Sequence, residues 1–248
     1  TTYSREANVA ESIAGTKHNK SVVAKHIATP KAVRAIYMSQ CAASSESFRR
    51  ELKSVIQETE VNAIIIDVKD FTGTVAFPRK DGAEDLGGSG CKVVDMKDFL
   101  EELYSLGVYR IARITVFQDP LYTSVHPDRA VQSKSKTTPW TDHKGLSFVD
   151  VGAQDFWDYI VGIAQESHAI GFDELNFDYI RYPSDGPMSD VIFSHSDYTN
   201  RAEELEHFFR YLALKVKKAD DNGNVPVLSG DLFGMTTTNQ DDLTIGQV

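Results

Sequence analysis

The segment GFDELNFDYIRYPSDG, residues 171–186, places two carboxylates and an amide at alternate positions of a strand-like run. Side chains two residues apart lie on the same face of a β-strand, so Glu174, Asn176 and Asp178 would share one face. Charged side chains are rarely buried without partners. The pattern therefore predicts that these three side chains line a polar site at the end of a strand.

Polar residues also occupy the ends of three other predicted strands, where the same alternation selects Asp67 with Lys69, Arg113 with Thr115, and Ser229 with Asp231. The residues between them are apolar and suit packing against helices. Because four strands become polar at the same end, we expect one shared pocket. The alternative is a set of salt bridges, such as Asp67 with Lys69, that serve only to satisfy each other.

Two carboxylates facing each other across a cleft are the minimum requirement for cleaving a glycosidic bond, one as acid and one as nucleophile or base. Asp178 and Asp231, at adjacent predicted strand ends, form the best candidate pair. Glu174 is a third catalytic candidate, acting as the acid if it reaches the mouth of the cleft.

The remaining candidates would bind the substrate or orient these carboxylates. Asp67, Lys69 and Arg113 would hold sugar hydroxyls, and Asn176 would orient Asp178. Arg181 would orient Asp178 or bind an anionic group. Among the aromatic residues of the long loops, Trp140 is the candidate for stacking on a sugar ring.

Histidine spacing gives little support to metal chemistry. His126, His143 and His195 form no H-x-H or H-E-x-x-H pair, and no G-x-S-x-G motif indicates a serine nucleophile. We therefore expect no metal and no other cofactor. A metal-dependent hydrolase that uses Asp67, Asp178 and Asp231 remains a less favoured alternative.

The elements that would position these residues alternate regularly between strand and helix. Predicted strands cover 32–39, 62–70, 108–117, 174–178 and 225–234, and predicted helices cover 44–60, 95–107, 154–171 and 198–219. Such alternation predicts a parallel sheet covered by helices. Long loops follow the strands and short ones follow the helices, which favours a TIM (β/α)8-type barrel with its site at the carboxyl ends of the strands. A doubly wound sheet is the rival, but no G-x-G-x-x-G follows the first strand.

Five β/α units are visible, so we expect a barrel that is incomplete in this chain. Residues 1–30 are interpreted as a lead-in or linker, and 31–248 as the barrel domain, whose C-terminal strands are expected to be missing. The sequence leaves the oligomeric state open.

The composition restricts the class of partner. The chain has 248 residues, 41% of them hydrophobic, and a net charge of −10 without a basic block, which argues against nucleic-acid binding and suits a neutral carbohydrate. No apolar run approaches the length of about 20 residues that a transmembrane segment needs. Cys41 and Cys91 are predicted to be unpaired thiols, with a single disulfide as the alternative.

Four segments resemble a family of bacterial glycoside hydrolase domains grouped with the α-amylase-like (β/α)8 barrels. They are IIIDVKDFTG (64–73), RIARITVFQDP (110–120), GFDELNFDYIRYPSDG (171–186) and LSGDLFG (228–234). The resemblance implies a TIM barrel, a carbohydrate substrate and an extracellular or cell-surface protein.

By analogy with amylase-like enzymes, Asp178 would be the nucleophile and Asp231 the general acid. That pattern places an arginine two residues before the nucleophile, where this chain has Asn176. The sequence thus predicts a glycoside hydrolase that cleaves O-glycosidic bonds of a poly- or oligosaccharide. A non-catalytic carbohydrate-binding barrel on the cell surface is the alternative.

Overall fold

The computed structural model describes residues 23–80, 83–197 and 199–238. Its main sheet consists of β1 (Ala35–Met38), β2 (Ala63–Lys69), β3 (Tyr109–Thr115), β5 (Glu174–Asp178) and β7 (Val227–Gly230). The helices are α1 (Gln40–Ser44), α2 (Glu46–Glu58), α3 (Met96–Ser105), α4 (Pro120–Val125), α5 (Gln154–Ile170) and α6 (Arg201–Val216). Two short strands in the loops, β4 (Gln132–Ser133) and β6 (Val191–Ile192), pair antiparallel.

The order of the main sheet identifies the type of fold. Its five strands are all parallel and lie in the order β1-β2-β3-β5-β7, so each is bonded to the next main strand along the chain. A doubly wound sheet would reverse direction at a switch point. A sheet that always advances in one direction is the arrangement of a (β/α) barrel, and five of its strands lie within the described residues.

The sheet is held by an apolar layer between strands and helices. In β2, Ile64, Ile66 and Val68 are fully buried, which explains the nearly continuous apolar run of this strand. Phe99 and Leu103 of α3 are equally buried on the helix side. The outward faces of the strands thus form the core, whereas their inward faces carry the polar residues.

Strand register arranges the inward-facing residues in layers. Asp67 is paired with Arg113, Arg113 with Asn176, and Asn176 with Ser229, so four strands contribute to one layer. The next layer toward the carboxyl ends pairs Thr115 with Asp178. The polar layers therefore lie at one end of the sheet, as the alternation predicts.

The predicted elements correspond closely to those observed, with two differences. The helix expected over 44–60 corresponds to α2, and an additional short helix, α1, precedes it and is separated from it by Ser45, whose backbone is extended. The loop expected over 118–150 contains α4, which begins at Pro120 after the capping side chain of Asp119.

Part of the expected lead-in packs against the sheet. The backbone N–H of Ile27 donates to Asp173 Oδ1 at 2.7 Å, and the carbonyl of Lys25 accepts from Arg110 Nη2 at 3.0 Å. Residues 1–22 and the last segment, 239–248, where a sixth strand would begin, lie outside the described residues. Within the described part, no helix has the length and apolar character needed to cross a membrane.

Cys41 and Cys91 form a disulfide, with Cα atoms 4.9 Å apart. The favoured prediction of two unpaired thiols is therefore wrong. The spacing in sequence could not reveal the pair, because only the fold brings the loop after β2 against α1.

Candidate active site

The guanidinium of Arg113 connects three carboxylates at the carboxyl ends of the strands. Its Nη1 donates to Asp67 Oδ1 at 2.7 Å, its Nη2 bonds to Asp178 Oδ2, and its Nε lies 3.8 Å from Asp231 Oδ2. Burial alone would lower the pKa of Arg113, but the hydrogen bonds and charges of Asp67 and Asp178 raise it overall. The guanidinium therefore stays charged and holds the group together.

Asp67 serves to position Arg113. Its other oxygen, Oδ2, accepts a hydrogen bond from the hydroxyl of Tyr37, and the residue is only 4% exposed. Burial raises the pKa of Asp67, while the hydrogen bonds from Tyr37 and Arg113 oppose this effect. Asp67 thus holds Arg113 through one oxygen and Tyr37 through the other, and binding of a sugar hydroxyl by Asp67 stays a prediction.

Asp178 lies at the last position of β5, and both of its oxygens have donors. Oδ2 is bound by Arg113, and Oδ1 accepts from the backbone N–H of Tyr179 at 2.6 Å. Tyr179 is the one non-glycine residue with a positive φ, 51°, among those described. This left-handed conformation costs roughly 1–2 kcal/mol in a residue with a side chain, and such strain clusters at functional sites.

Asp231 stands beside Asp178 on the neighbouring strand. Its backbone N–H donates to Phe177 O at 2.8 Å, so strand pairing continues one residue beyond β7. Oδ1 of Asp231 accepts from Asn176 Nδ2 at 3.2 Å, and the same amide donates to Ser229 Oγ at 3.2 Å. The side chain of Asp231 is 51% exposed and thus open to a ligand.

Glu174 lies in a different layer from the two aspartates. It is four residues before Asp178, which separates their Cα atoms by about 13 Å along a strand. Its carboxylate accepts from Ser229 Oγ at 2.6 Å and Tyr109 Oη at 2.9 Å. Glu174 therefore does not reach the mouth of the cleft, and the structure corrects the prediction that it could be the acid.

Arg181 lies beside the carboxylates in a polar pocket of the loops. The guanidinium carbon is 4.5 Å from the ring centroid of Phe233 and 5.0 Å from that of Tyr179. Its hydrogen bonds go to neutral acceptors, Tyr182 O and Ser184 Oγ, each at 3.1 Å. The pocket holds about 310 Å³, within the range of ligand sites. Substrate binding by Arg181 stays a prediction.

Sequence comparison identifies the family. A family model described as "Putative glycosyl hydrolase domain" matches residues 35–248. The chain belongs to this family. Among curated proteins, none matches the chain in sequence.

Solved structures with a similar fold include glycoside hydrolases. A hypothetical protein from Ruminiclostridium thermocellum ATCC 27405 has 26% identity and a TM-score of 0.66, covering 80% of this chain and 98% of that one. A Glycoside Hydrolase Family 20 β-N-acetylglucosaminidase has 12% identity and a TM-score of 0.51, covering 86% and 48%. The GH31 dextranase of Flavobacterium johnsoniae has 10% identity and a TM-score of 0.51, covering 79% and 26%. The two enzymes support the barrel fold of this glycosyl hydrolase domain.

Lys69 of the glycosyl hydrolase domain does not face the site. Its side chain is fully buried, with Nζ 2.9 Å from Asp119 Oδ2 and donating to Thr115 O at 2.7 Å. The register between β2 and β3 shifts between Asp67 and Lys69, and such a bulge re-aims the side chain beyond it. Lys69 therefore joins β2 to the loop after β3, and its prediction as a substrate ligand is wrong.

Trp140 is also buried, at 1% exposure, and its Nε1 donates to Pro187 O at 3.1 Å. The indole ring lies so close to Gly186 that a Cβ added there would be 2.8 Å from it. Trp140 therefore packs its own loop against the loop that contains Gly186 and Pro187. Stacking of Trp140 on a sugar is thus ruled out in this conformation, contrary to the prediction.

Sequence reasoning missed Tyr37 and the backbone of Tyr179. Tyr37 shares the inward face of β1, so the alternation that selected Asp67 could have selected it. No sequence signal indicates the positive φ of Tyr179, since glycine and asparagine are the usual residues in that conformation.

Proposed function

We propose that this domain is a glycoside hydrolase acting on a neutral poly- or oligosaccharide, with Asp178 as nucleophile and Asp231 as general acid. The supporting observation is that both carboxylates approach one guanidinium, that of Arg113, from equivalent positions on neighbouring strands. An ion pair favours the charged form of a carboxylate, which is the form that a nucleophile requires. Asp231 is the more exposed of the two carboxylates and also contacts the amide of Asn176, so we assign it the role of general acid.

The strand register also bears on the stereochemistry. Neighbouring strands lie about 4.8 Å apart, which is nearer to the carboxyl separation of about 5–5.5 Å in retaining enzymes than to the 6.5–9.5 Å of inverting ones. We therefore expect retention of configuration. The anomer first released, observed by ¹H NMR during hydrolysis, tests this.

The test of the assignment is hydrolysis of a glycan panel by the protein and its Asp178→Asn variant. We expect the variant to lose at least about 10³-fold in kcat/KM on any substrate that responds, since the nucleophile is removed. Asp98→Asn, a change at an exposed position of α3, is the matched control and should retain full activity. A fully active Asp178→Asn variant would remove Asp178 from the mechanism.

Asp231→Asn separates the two roles. A general acid assists departure of a poor leaving group, whereas a nitrophenolate leaves without protonation. The variant should therefore lose activity on a natural glycan and keep most of it on a nitrophenyl glycoside. Equal losses on both substrates would contradict the acid role.

A non-catalytic carbohydrate-binding domain is the second candidate, favoured by the direct pairing of Arg113 with Asp67 and Asp178. In this case glycans should bind without being cleaved. Calorimetric binding of a glycan, with no product released by the unmodified protein over the same period, would support it.

The metal-dependent alternative is less compatible with the site. The positive charge of Arg113 lies among the carboxylates of Asp67, Asp178 and Asp231, where it opposes a divalent cation. We also propose an extracellular or cell-surface location, supported by the Cys41–Cys91 disulfide, because disulfides persist in oxidising compartments.

A further inference from the structure

Three potential metal ligands meet at the amino-terminal end of the sheet, opposite the candidate active site. They are His26 in the segment before β1, His168 in the last turn of α5, and Asp220 after α6. One ligand atom from each lies within 4.8 Å of the others. These residues come from three separate parts of the chain, so only the fold brings them together.

Each of the two histidines has one buried ring nitrogen without a hydrogen bond to any described residue, Nε2 in His168 and Nδ1 in His26. His168 Nδ1 is hydrogen-bonded to Phe172 O at 3.0 Å, and His26 Nδ1 lies 3.4 Å from Asp173 Oδ1, an ion-pair distance. Metal-binding histidines usually donate their other N–H to a carbonyl or carboxylate in this way. The Nε2 atom of His168 is buried and has no hydrogen-bond partner of ordinary geometry within the described residues.

The surroundings of His168 favour its neutral form. The two imidazoles stack with centroids 4.0 Å apart and an interplanar angle of 19°. Burial, together with the neighbouring His26, lowers the pKa of His168. A neutral imidazole presents a nitrogen lone pair, which is the form that binds a metal.

We propose that His26, His168 and Asp220 bind one divalent transition-metal ion, for which zinc is the best match. Nε2 of each histidine and Oδ2 of Asp220 would be the ligands, since Oδ2 already lies 3.6 Å from His26 Nε2. Two imidazoles and a carboxylate form a ligand set typical of zinc. Tetrahedral bonds of about 2.0–2.1 Å to nitrogen require ligand atoms about 3.3 Å apart. Because the two rings are stacked, one imidazole must turn out of the stack to direct its Nε2 at the same ion.

The site would stabilise the domain and take no part in sugar cleavage. It joins the segment before β1 to the ends of α5 and α6, at the face of a barrel where conserved structure usually serves stability. Its partner Asp173 is held by Arg110 through a buried ion pair of 2.6 Å, which fixes the position of the His26 ring. The proposal is therefore independent of the proposed hydrolase activity.

The competing explanation is a plain ion pair of protonated His26 with Asp173 and Asp220. Removing His26 would then lower stability equally with and without metal. Zinc binding distinguishes the two explanations, because only the first requires His168.

The experiment uses the full chain, stripped with a chelator and then titrated with zinc chloride. We expect one bound zinc ion per chain, measured by inductively coupled plasma mass spectrometry. We also expect the Tm to rise by about 5 °C at saturating zinc. His168→Gln and Asp220→Asn should each weaken zinc binding at least tenfold. The matched control is His207→Gln, which removes an exposed histidine of α6 and should bind zinc like the unmodified chain.

Cobalt supplies a second readout. Tetrahedral Co²⁺ absorbs visible light much more strongly than octahedral Co²⁺, so the visible spectrum of the bound ion reports its coordination geometry. Asp220→Asn keeps a side-chain oxygen that can accept the hydrogen bonds from the backbone N–H groups of Asn222 and Asn224. Circular dichroism will verify that the variant folds. Zinc binding that is absent, or equally tight in the variants and in the unmodified chain, would overturn the proposal.

Discussion

The charge at Arg113 determines what the candidate site can stabilise. Three carboxylates surround one guanidinium, so the group carries a formal charge of −2 when all are ionised. A glycosidic bond breaks through a transition state that resembles a positively charged oxocarbenium ion. A net negative site that is held rigidly before the reaction stabilises such a charge without reorganisation. Arg113 thus positions the carboxylates and does not cancel their charge.

In the proposed assignment of Asp178 as nucleophile, Arg113 takes the place of the arginine that amylase-like enzymes have two residues before the nucleophile. Asn176 holds that position here, and Arg113 is its register partner on β3. The guanidinium therefore reaches Asp178 from the adjacent strand. The motif around Asp178 could not reveal this arginine, because Arg113 lies on a different strand and is far from Asp178 in sequence.

Tyr179 provides a test of backbone strain at the site. Replacement by glycine or by alanine removes the same ring, but only alanine has a Cβ that opposes the φ of 51°. We expect the Tyr179→Gly variant to be more stable than Tyr179→Ala by about 1 kcal/mol. Urea denaturation of both variants measures the difference.

The control is the same pair of substitutions at Tyr211, which lies within α6. In a helix glycine is less stable than alanine by about 0.5–1 kcal/mol, so the sign should reverse. An alanine variant at position 179 as stable as the glycine variant would mean that the left-handed conformation is not maintained in solution.

At the scale of elements, periodicity was sufficient to predict the five strands and the end of the sheet that carries the polar residues. It failed at Lys69, because alternation assumes an unbroken ladder and β2 shifts register after Asp67. It failed at Trp140 because burial of a loop side chain depends on contacts with a distant loop at Pro187. Neither effect leaves a local pattern in the sequence.

Contacts between distant segments explain the other omissions. The spacing of histidines along the chain does not indicate that His26 and His168 meet, because they stack only when the segment before β1 crosses the end of α5. The disulfide likewise joins residues 50 positions apart. Such pairs follow from the topology of the complete sheet and not from either segment alone.

The disulfide anchors the long loop after β2 to α1, next to the candidate site. A disulfide also restricts the conformations of the unfolded chain, and the Cys41→Ser, Cys91→Ser double variant removes this restriction. We expect the free energy of unfolding to fall by about 2–4 kcal/mol. Guanidinium denaturation of the oxidised protein and the variant measures the change.

Reduction of the unmodified protein is the matched control, and it should lower stability by a similar amount. The double variant should be insensitive to the reductant. A variant as stable as the oxidised protein would indicate that the bridge is not formed in solution.

At the scale of the whole molecule, the two ends of the sheet carry different groups of polar residues. Asp178 and Asp231 lie at the carboxyl ends of the strands, where the loops are long and polar. The Arg110–Asp173 pair and the histidine cluster lie at the amino-terminal end, where residues of the N-terminal segment are fixed. This division is the one found generally in (β/α) barrels.

The sheet has two edges within the described residues, β1 and β7. Tyr37 of β1 is 55% exposed and Val227 of β7 is 38% exposed. An apolar groove of about 340 Å³ runs along β7, and its lining includes Phe177, Ile180, Leu212, Leu228 and Leu232. Edge strands bond on one side only, so they open more readily than central ones.

Amide hydrogen exchange followed by NMR tests this picture of the edges. Amides of β3, which is bonded on both sides, should exchange at least about tenfold more slowly than those of β7, because a difference of 1.4 kcal/mol in opening free energy is a factor of ten. At the start of β7 and just beyond its end, the N–H groups of Val227 and Asp231 donate toward β5, to Asp173 O and Phe177 O. Leu228 and Gly230 alternate with these donors and face the open edge, so they should exchange fastest.

The central strands of the sheet serve as the internal control, since β2 and β3 should be protected alike. Slow exchange at Leu228 and Gly230 would mean that another strand pairs with β7 in solution, either from this chain or from a second copy. A dilution series separates these possibilities, because only pairing between copies weakens as the concentration falls. Rapid exchange at every dilution would establish β7 as a free edge of this chain.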